Sequence, residues 1–463
     1  NDDSVNITIT ETEPTKENST FLGWSENKDS TTPEYEPGKS YEIAENKVLY
    51  AVYVSNKGIV TVNPNGGEWR DNTSAYQING TKDQKVTLDN PIPPDGYTVS
   101  FDGNGGSTPS AQTTTKSFAS WTLVGAGSID GSTYTFGIGE ATLTANYKND
   151  SITLPSSSRT GYTFLGWYDA KTGGNKVGNN GDSYVADKNI TLYAHWRANT
   201  YTIKFAGNGS TSGSTAQMSM TYDVAKALTA NGFAKTGYTF TRWNTKADGS
   251  GSSYTNGQSV KNLTATDGAT ITLYAQWTAN TYTIKFAGNG STSGSTAQMS
   301  MTYDVAKALT ANGFARTGYS FNGWNTKADG SGTSYSNKQS VKNLTSTNGG
   351  TVTLYAKWKI NQYTLTVKPN GGTWNSTSSN STFTQNYNST KTIANPTAPA
   401  GYKVTFNGNG GSTPSAITST KSFTSWSKSG SGTLSGTTFT FGAGNATLTA
   451  NYKNNSITLP TPT

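Results

Sequence analysis

Cysteine is absent from this chain, and histidine occurs once, at His195. The absence of cysteine excludes disulfides, thiolate metal ligands and a cysteine nucleophile. No Ser-His-Asp arrangement, HExxH zinc motif or P-loop is recognisable either. The sequence therefore predicts a protein that is not an enzyme and that has no catalytic residue, cofactor or metal site.

Charge and long apolar runs are also scarce. Charged residues make up only 14% of the 463 residues, and the net charge of +7 is spread without a dense Lys/Arg cluster. Binding of nucleic acid usually needs such a cluster, so no nucleic-acid partner is expected. No apolar run approaches the roughly 18–20 residues that span a bilayer. No signal peptide opens the chain, which is consistent with a mature or excised fragment without a membrane span in this segment.

Glycine, small polar residues and aromatic residues are abundant instead, with 51 Gly, 11 Trp and 26 Tyr. A disordered chain would have few aromatic residues and high charge. Thr-rich sequences with many aromatic residues are typical of β-structure with thin cores. A chain of this length is expected to form several domains.

Internal repeats organise the chain. Two tandem copies, Tyr201–Thr281 and Tyr282–Gln362, are identical from "YTIKF" through "NGFA". A longer repeat class starts near Gly58 and returns near Tyr363, with "GYTVSFDGNGGSTPSA" matching "GYKVTFNGNGGSTPSA". Apolar and polar residues alternate as they do in strands, for example in "YTIKF" and "ITLYAQW". The stretch Asp223–Gly232, "DVAKALTANG", predicts a short helix capped by Asp223.

One tryptophan position recurs in every repeat. A module of about 80 residues needs a large buried side chain there, worth roughly 2–3 kcal/mol, so the sequence favours packing over a ligand platform. Strand ends hold a second recurring aromatic. The residue before that aromatic varies in type, which predicts a solvent-facing position and makes His195 a surface residue. The recurring tryptophans are Trp24, Trp121, Trp167, Trp243, Trp324 and Trp426.

Trp69 and Trp374 stand apart, because they occur only in the longer repeat class, just after a turn in "NPNGGEW" and "NPNGGTW". A core position and an exposed ligand-binding position both fit this placement. Exposed aromatic residues stack on sugars and mark interaction sites. If they are exposed, Trp69 and Trp374 are the candidate ligand-binding residues.

The paired motif of "GYTFLGW" and "LYAHW", Gly161–Trp167 with Leu192–Trp196, resembles the Listeria–Bacteroides repeat, the B-repeat of internalin B. The resemblance covers about three-quarters of the chain and fits the longer repeat class less well. It implies a β-grasp-like, ubiquitin-shaped module, an extracellular location on a bacterial surface and no catalytic residues. The expected fold is thus mainly β with short helices, in a tandem array of small β-grasp-like (ubiquitin-like) modules.

Repeat boundaries predict five segments. Two readings remain open for the longer class: residues of about 97–160 form a nested insertion within a host module, or two modules follow one another. The segments are a partial module at 1–56, a long composite repeat at 57–198, single modules at 199–280 and 281–361, and a truncated composite repeat at 362–463.

Two functions of different class fit this organisation. The first is a stalk or spacer in a secreted surface adhesin, since near-identical copies suit a spacer. The second is binding of a host glycan or host surface protein by some modules. The first and last segments would each be half a module if the insertion is nested, which makes neighbouring repeats or head-to-tail self-association a third expectation, through an open sheet edge.

Overall fold

The computed structural model describes residues 4–461, and within this range every regular element is a strand. Its residues group into two compact units. The first contains the chain up to Ile203 with Ser219–Lys226 and Ser259–Ile271, and the second contains the remainder. The prediction of a mainly β protein is therefore confirmed.

The repeat at 281–361 shows the module most completely. A five-stranded sheet has the strand order Met299–Thr302, Thr281–Ala287, Gly350–Ile360, Tyr319–Asn325, Ser334–Tyr335. The first and last strands of this repeat, Thr281–Ala287 and Gly350–Ile360, lie side by side and parallel. The two small ladders beside the sheet pair Ser293–Gly294 with Phe314–Ala315, and Lys307–Ala308 with Ser340–Val341.

The preceding copy has the same elements. Its strands are Thr200–Ala206, Ser212–Gly213, Met218–Thr221, Lys226–Ala227, Phe233–Ala234, Tyr238–Asn244, Ser253–Tyr254, Ser259–Val260 and Thr270–Ala279.

The short helix predicted at Asp223–Gly232 is wrong. In the 281–361 copy, the equivalent Asp304 adopts a left-handed φ of 62°, which a helix does not allow. The amide of Leu309 donates to Gln339 O at 2.9 Å, so the hydrogen bond leaves the segment. Val305 is 55% exposed while Leu309 is buried, and the helical face of the prediction does not exist. Strand pairing thus overrides the local helical periodicity.

The composite repeat at 57–198 contains two modules whose strands interleave along the chain. Module A takes residues 57–88 and 116–149, and module B takes residues 97–113 and 152–198. Module A has a sheet of Lys116–Gly125, Gly139–Asn149, Lys57–Asn63 and Tyr76–Thr81, and a second sheet of Ser128–Asp130, Thr133–Thr135 and Lys85–Thr87. Module B has a sheet of Lys176–Gly178, Tyr162–Tyr168, Ile190–Ala198, Thr98–Asp102 and Gln112–Thr113, with Ile152–Thr153 pairing Ser183–Tyr184.

This interleaving differs from both readings of the sequence. A nested insertion at 97–160 would keep the strands of residues 116–149 away from Lys57–Asn63, yet Gly139–Asn149 pairs with that strand in parallel. A sequential order would keep Thr98–Asp102 away from Ile190–Ala198, yet these two strands also pair in parallel. In both modules the first strand pairs in parallel with the last. The chain passes from module A to module B and back before either module is complete.

The two outer segments contain parts of this pattern. Residues 4–56 form two pairs, Val5–Thr8 with Ser40–Ile43 and Ser19–Ser25 with Tyr50–Ser55. The last segment repeats module A. Its strands are Gln362–Lys368, Ser381–Asn386, Thr390–Thr392, Lys421–Gly430, Thr433–Ser435, Thr438–Thr440 and Ala446–Asn454. A separate hairpin pairs Lys403–Val404 with Ile417–Thr418.

Candidate functional site: aromatic cores and repeat junctions

The recurring tryptophan is a core residue. Trp167, Trp243 and Trp324 are fully buried. The chain reaches this position through a β-bulge, with the register shift falling just before Trp167 and Trp324, as the glycine before each tryptophan predicts. The Trp324 ring lies 4.7 Å from the Phe286 ring and 4.9 Å from the Phe321 ring, measured between centroids. The prediction of packing is confirmed for Trp121, Trp167, Trp243 and Trp324, whereas Trp24 and Trp426 are half-buried.

The second recurring aromatic connects the last strand to the turn that follows the first strand. The indole Nε1 atoms of Trp277 and Trp358 each donate to a backbone oxygen at 2.9 Å, that of Gly207 and of Gly288. In module A a tyrosine occupies this position, and the Tyr147 hydroxyl donates to Pro64 O at 2.6 Å. An aromatic residue with a polar tip is needed here because it fills the core and also satisfies a turn carbonyl.

His195 is partly buried rather than fully on the surface. Its ring stacks on Tyr168 with centroids 3.8 Å apart, and Nε2 lies 2.9 Å from Ala170 O. Its counterpart Val52 is 2% exposed, so this position is not uniformly solvent-facing. The local packing thus explains the histidine without a role in chemistry.

Trp69 and Trp374 lie in the cores of their modules, 1% and 2% exposed. Their indole nitrogens donate to Asp89 O at 2.9 Å and to Ala394 O at 2.7 Å. A ligand-binding role was expected for Trp69 and Trp374 only if they were exposed, and both are buried. The exposed aromatic residues in the described part of the chain lie elsewhere: Tyr50, Tyr76 and Tyr402.

The junctions between repeats form the most regular polar site of the molecule. One asparagine separates the last strand of one repeat from the first strand of the next, for example Asn280 between Thr270–Ala279 and Thr281–Ala287. Asn280 N donates to Gly237 O at 2.8 Å, and Asn280 O accepts from Tyr303 N at 2.9 Å. The linker is thereby bonded to the repeat before it and to the repeat after it. The equivalent residues are Asn56, Asn199 and Asn361.

A glycine and two tyrosines close the junctions at Asn199, Asn280 and Asn361. Gly237 has a φ of 76°, and a Cβ at this position would lie 2.2 Å from the Tyr303 ring. The Tyr238 ring meets the Tyr303 ring edge to face at 5.9 Å, and Lys235 Nζ lies 4.2 Å from the Tyr238 centroid. Only glycine allows both this backbone conformation and this contact.

A carboxylate completes two of the junctions. Asp304 accepts from the Tyr238 hydroxyl at 2.9 Å and from Asn343 Nδ2 at 2.7 Å. These hydrogen bonds, that of Asn343 first, hold the pKa of Asp304 below its usual value. The hydrogen bond to Asp304 raises the pKa of the Tyr238 hydroxyl.

The same carboxylate geometry recurs at the preceding junction. The Tyr162 hydroxyl donates to Asp223 at 2.9 Å, and Asn262 Nδ2 donates to the other carboxylate oxygen at 2.7 Å. At the junction that follows, Asn388 stands in the place of the aspartate, after Tyr387.

These junction residues were not among those predicted from the sequence. The signal was present, because each "TGY" glycine has a "YD" or "YN" pair in the following repeat. Their contact spans two repeats and could not be read from one of them. Elsewhere in the described range, no cluster of three or more His, Asp or Glu residues could hold a metal ion. No helix long and apolar enough to cross a bilayer occurs between residues 4 and 461.

Two curated proteins are similar to parts of this chain. A protein of Evansella cellulosilytica named "Putative Gly-rich membrane protein" is 33% identical over 228 residues, which cover 46% of this chain and 24% of that protein. Internalin H of Listeria monocytogenes is 38% identical over 136 residues, 28% of this chain and 22% of internalin H. The chain thus spans about a quarter of the length of these curated relatives.

Among solved structures, the Bacillus anthracis TIE protein matches with a TM-score of 0.25 and 10% identity, over 98% of this chain and 75% of that one. A similarity of this size supports no conclusion about the fold.

The model of the Listeria-Bacteroides repeat domain matches residues 2–52, 129–195, 201–276 and 282–357, more than half of the chain. The third and fourth ranges coincide with the two near-identical repeats, and the second ends beside the aromatic strand end of module B. This chain belongs to the Listeria-Bacteroides repeat domain family.

Proposed function

We propose that this chain is a non-catalytic repeat region of a bacterial cell-surface protein, and that it acts as an extended stalk or spacer in an adhesin. The observation that carries the proposal is the junction geometry. A one-residue linker bonded on both sides leaves little freedom for neighbouring repeats to bend. A spacer needs this property, because flexible linkers would let the array collapse.

The module fold supports the same proposal. The parallel first and last strands in the centre of a five-stranded mixed sheet match the strand arrangement of a β-grasp module. We take each repeat as a β-grasp variant in which an extended segment, Met299–Ala315, stands where a β-grasp module has its helix. The repeat boundaries at 57, 199, 281 and 362 fit this assignment, with each Asn linker at or beside a boundary.

An extracellular location on a bacterial surface is part of the proposal. It is supported by family membership and by the names of two relatives, a membrane protein and an internalin. The chain is also free of cysteine, so its stability does not depend on the redox state of its surroundings.

Binding of a host glycan or host surface protein is the alternative function. With Trp69 and Trp374 buried, it would have to use other surfaces, such as the exposed rings of Tyr50, Tyr76 or Tyr402. A glycan and host-protein binding screen on the whole chain tests it. A specific ligand that is lost on Tyr76→Ala would favour the alternative over a pure spacer.

Small-angle X-ray scattering of the dilute chain tests the spacer directly. A single compact domain of this length would have a radius of gyration of roughly 23 Å. The spacer predicts a value well above this and a maximum dimension over roughly 100 Å, from modules of roughly 30 Å each. A radius of gyration near roughly 23 Å would contradict the proposal.

A further inference from the structure

The strand that carries the recurring tryptophan has a neighbour on each side in module B and in both single repeats. In module B, Trp167 lies opposite Gly178 of a short outer strand. In the 281–361 repeat, Trp324 lies opposite Tyr335 of the two-residue outer strand Ser334–Tyr335. The preceding copy has the same pairing. In these modules a short strand therefore covers the outer main-chain groups at the tryptophan.

Module A lacks this cover. Its tryptophan strand, Lys116–Gly125, has ten residues and is the outer strand of its sheet. Within residues 4–461, Gly139–Asn149 is its one hydrogen-bonded neighbour in that sheet. After Gly125 the chain continues into Ser128–Asp130, which belongs to the second sheet of the module. The open edge thus lies in the interior of the sequence and follows from the route of the chain after Gly125.

The ladder shows which main-chain groups lie on the open edge. Beyond the bulge the register of the strand is regular, and Ala126 N donates to Glu140 O at 3.0 Å. In an antiparallel ladder, alternate residues direct their N–H and C=O groups toward the partner strand and away from it. Trp121, Leu123 and Gly125 therefore direct their main-chain groups toward the open edge.

The side chains along this edge are uncharged and partly apolar. The sequence has no charged residue between Ser117 and Ile129. Thr122 and Val124 are exposed, Val124 to 69%. Sheets usually protect a long outer strand with charges, proline, bulges or a covering segment. The strand after its bulge has none of these, so its edge is suited to pairing with another strand.

The equivalent strand of the last segment, Lys421–Gly430, shows such protection. Lys428 stands in the place of Leu123. Its Nζ donates to Gly430 O at 2.7 Å, and Gly430 is the counterpart of Gly125. The lysine thus occupies a carbonyl of the outer edge, and its charge opposes pairing with an identical strand.

We propose that the outer edge Trp121–Gly125 pairs in antiparallel fashion with the same edge of a second copy of this chain, about a two-fold axis at Leu123. This register places Thr122 opposite Val124 of the second copy. A charge at the centre of such an edge would meet the same charge on the other copy, so an uncharged edge suits self-pairing. Strand addition supplies main-chain hydrogen bonds. Because a two-fold contact closes on itself, the product is a dimer.

Sedimentation velocity over a concentration series tests this association. A single strand pair buries less surface than a standard interface, so the series extends to high protein concentration. The unmodified chain is expected to show a monomer–dimer equilibrium and nothing larger. Leu123→Lys introduces the residue of the equivalent strand and is expected to sediment as a monomer. Its circular dichroism spectrum should be retained, because the last segment accommodates lysine at this position.

Val185→Lys is the matched control, since it adds the same charge at a valine of module B that is 53% exposed. It is expected to dimerise like the unmodified chain. An unmodified chain that is monomeric at the highest concentration, or a Leu123→Lys variant that still dimerises, would overturn the proposal. Larger oligomers of the unmodified chain would contradict the two-fold closure.

The converse substitution tests the protective role of Lys428. Lys428→Leu removes the contact to Gly430 O and leaves the chain with two open edges of the same kind. It is therefore expected to extend beyond dimers, into oligomers whose mean mass rises with concentration. A variant that remains dimeric would contradict the protection assigned to the lysine.

Disulfide cross-linking tests the register, since the chain has no cysteine of its own. Thr122 and Val124 of the second copy would form a pair without main-chain hydrogen bonds, with Cα atoms about 4.5 Å apart. This separation allows a disulfide. A mixture of Thr122→Cys and Val124→Cys chains should form a linked dimer on mild oxidation, and each variant alone should link less. Equal cross-linking of the mixture and of the single variants would refute the register.

Discussion

At the scale of single residues, Trp324 shows what the small cores of this protein require. It is fully buried against three phenylalanine rings, those of Phe286, Phe314 and Phe321. Trp324 is the largest fully buried side chain of this core. Its indole therefore buries more apolar surface than any other single residue of the repeat's core.

Replacing this tryptophan should destabilise its repeat strongly. We expect Trp324→Ala to lower the free energy of unfolding by about 3–5 kcal/mol, because the loss of buried surface is accompanied by a cavity. Val305→Ala, at an exposed position of the same repeat, should change it by less than about 0.5 kcal/mol. Denaturant unfolding followed by circular dichroism measures both. A similar effect of the two substitutions would contradict a structural role for Trp324.

The positions of the recurring core aromatic residues can be predicted from the sequence. The tryptophan after the bulge and the aromatic at the strand end recur at fixed positions, and recurrence indicates packing when the neighbouring residues vary. The burial of Trp69 was less readable, because a tryptophan after an "NGG" turn fits both an exposed and a buried position. Its hydrogen bond to Asp89 O depends on a strand pairing that the sequence does not display.

At the scale of elements, the repeat junction depends on a glycine. Gly237→Ala should weaken the contact between two repeats, because the new Cβ would lie 2.2 Å from Tyr303 and the φ of 76° is strained for alanine. Gly257→Ala is the matched control, with a φ of 70° and nothing within 4 Å of the new Cβ. The strain alone costs about 1–2 kcal/mol. A larger loss for Gly237→Ala, measured by thermal unfolding, isolates the junction contact, and equal losses would argue against it.

The junction carboxylates should make the contact sensitive to acid. Because the folded-state pKa of Asp304 lies below the ordinary 3.8, its stabilisation is complete above that value and is lost as the pH falls through the folded pKa. We expect Asp223→Asn with Asp304→Asn to lower the thermal midpoint at pH 7 and to have a shrinking effect below about pH 4. The Asn388 junction provides a natural comparison. A constant difference between variant and parent from pH 7 to pH 3 would refute this account.

The tyrosine that binds Asp304 sets the upper limit of the pH range in which this contact is stable. The pKa of the Tyr238 hydroxyl is raised by the hydrogen bond to Asp304, so the contribution of the neutral hydroxyl is present below its ordinary value of 10.0. It is lost as the pH rises through the folded pKa. The Tyr–Asp pair is thus intact across the neutral range.

The predicted helix was wrong for a reason that belongs to this scale. The spacing of Val305, Ala308 and Leu309 is helical, and Asp304 is a good capping residue. The segment instead pairs Lys307–Ala308 with Ser340–Val341, and the Asp304 side chain binds Asn343 and Tyr238 rather than a helix end. Short periodic runs cannot distinguish these outcomes, because a ladder partner lies far away in the chain.

At the scale of the whole molecule, the spacer proposal predicts that length depends on the junctions. Inserting a flexible Gly-Ser stretch after Asn280 should broaden the scattering-derived distance distribution and shorten its mean, because the asparagine would no longer bond both repeats. The same insertion at Gly257, in an exposed turn with nothing within 4 Å of a Cβ, should leave the distribution unchanged. If both insertions act alike, the junctions do not set the length.

The order of modules A and B was the part of the fold that the sequence did not reveal. The repeats of "GYTVSF" and "GYTFLGW" mark two strands, but nothing in their composition tells which later strand each one joins. Both orders considered from the sequence assume that a module is one stretch, or one stretch with an insertion. The parallel pairs of Lys57–Asn63 with Gly139–Asn149 and of Thr98–Asp102 with Ile190–Ala198 satisfy neither.

That crossing of the chain restricts how such a protein can change in size during evolution. A gene can gain or lose the repeat at 281–361 through one recombination event, since its DNA is a single uninterrupted block. Any single excision between residues 57 and 198 that removes one of the two interlocked modules also cuts strands from the other. Related alleles should therefore vary in their number of simple repeats, while the interlocked modules are inherited or deleted together.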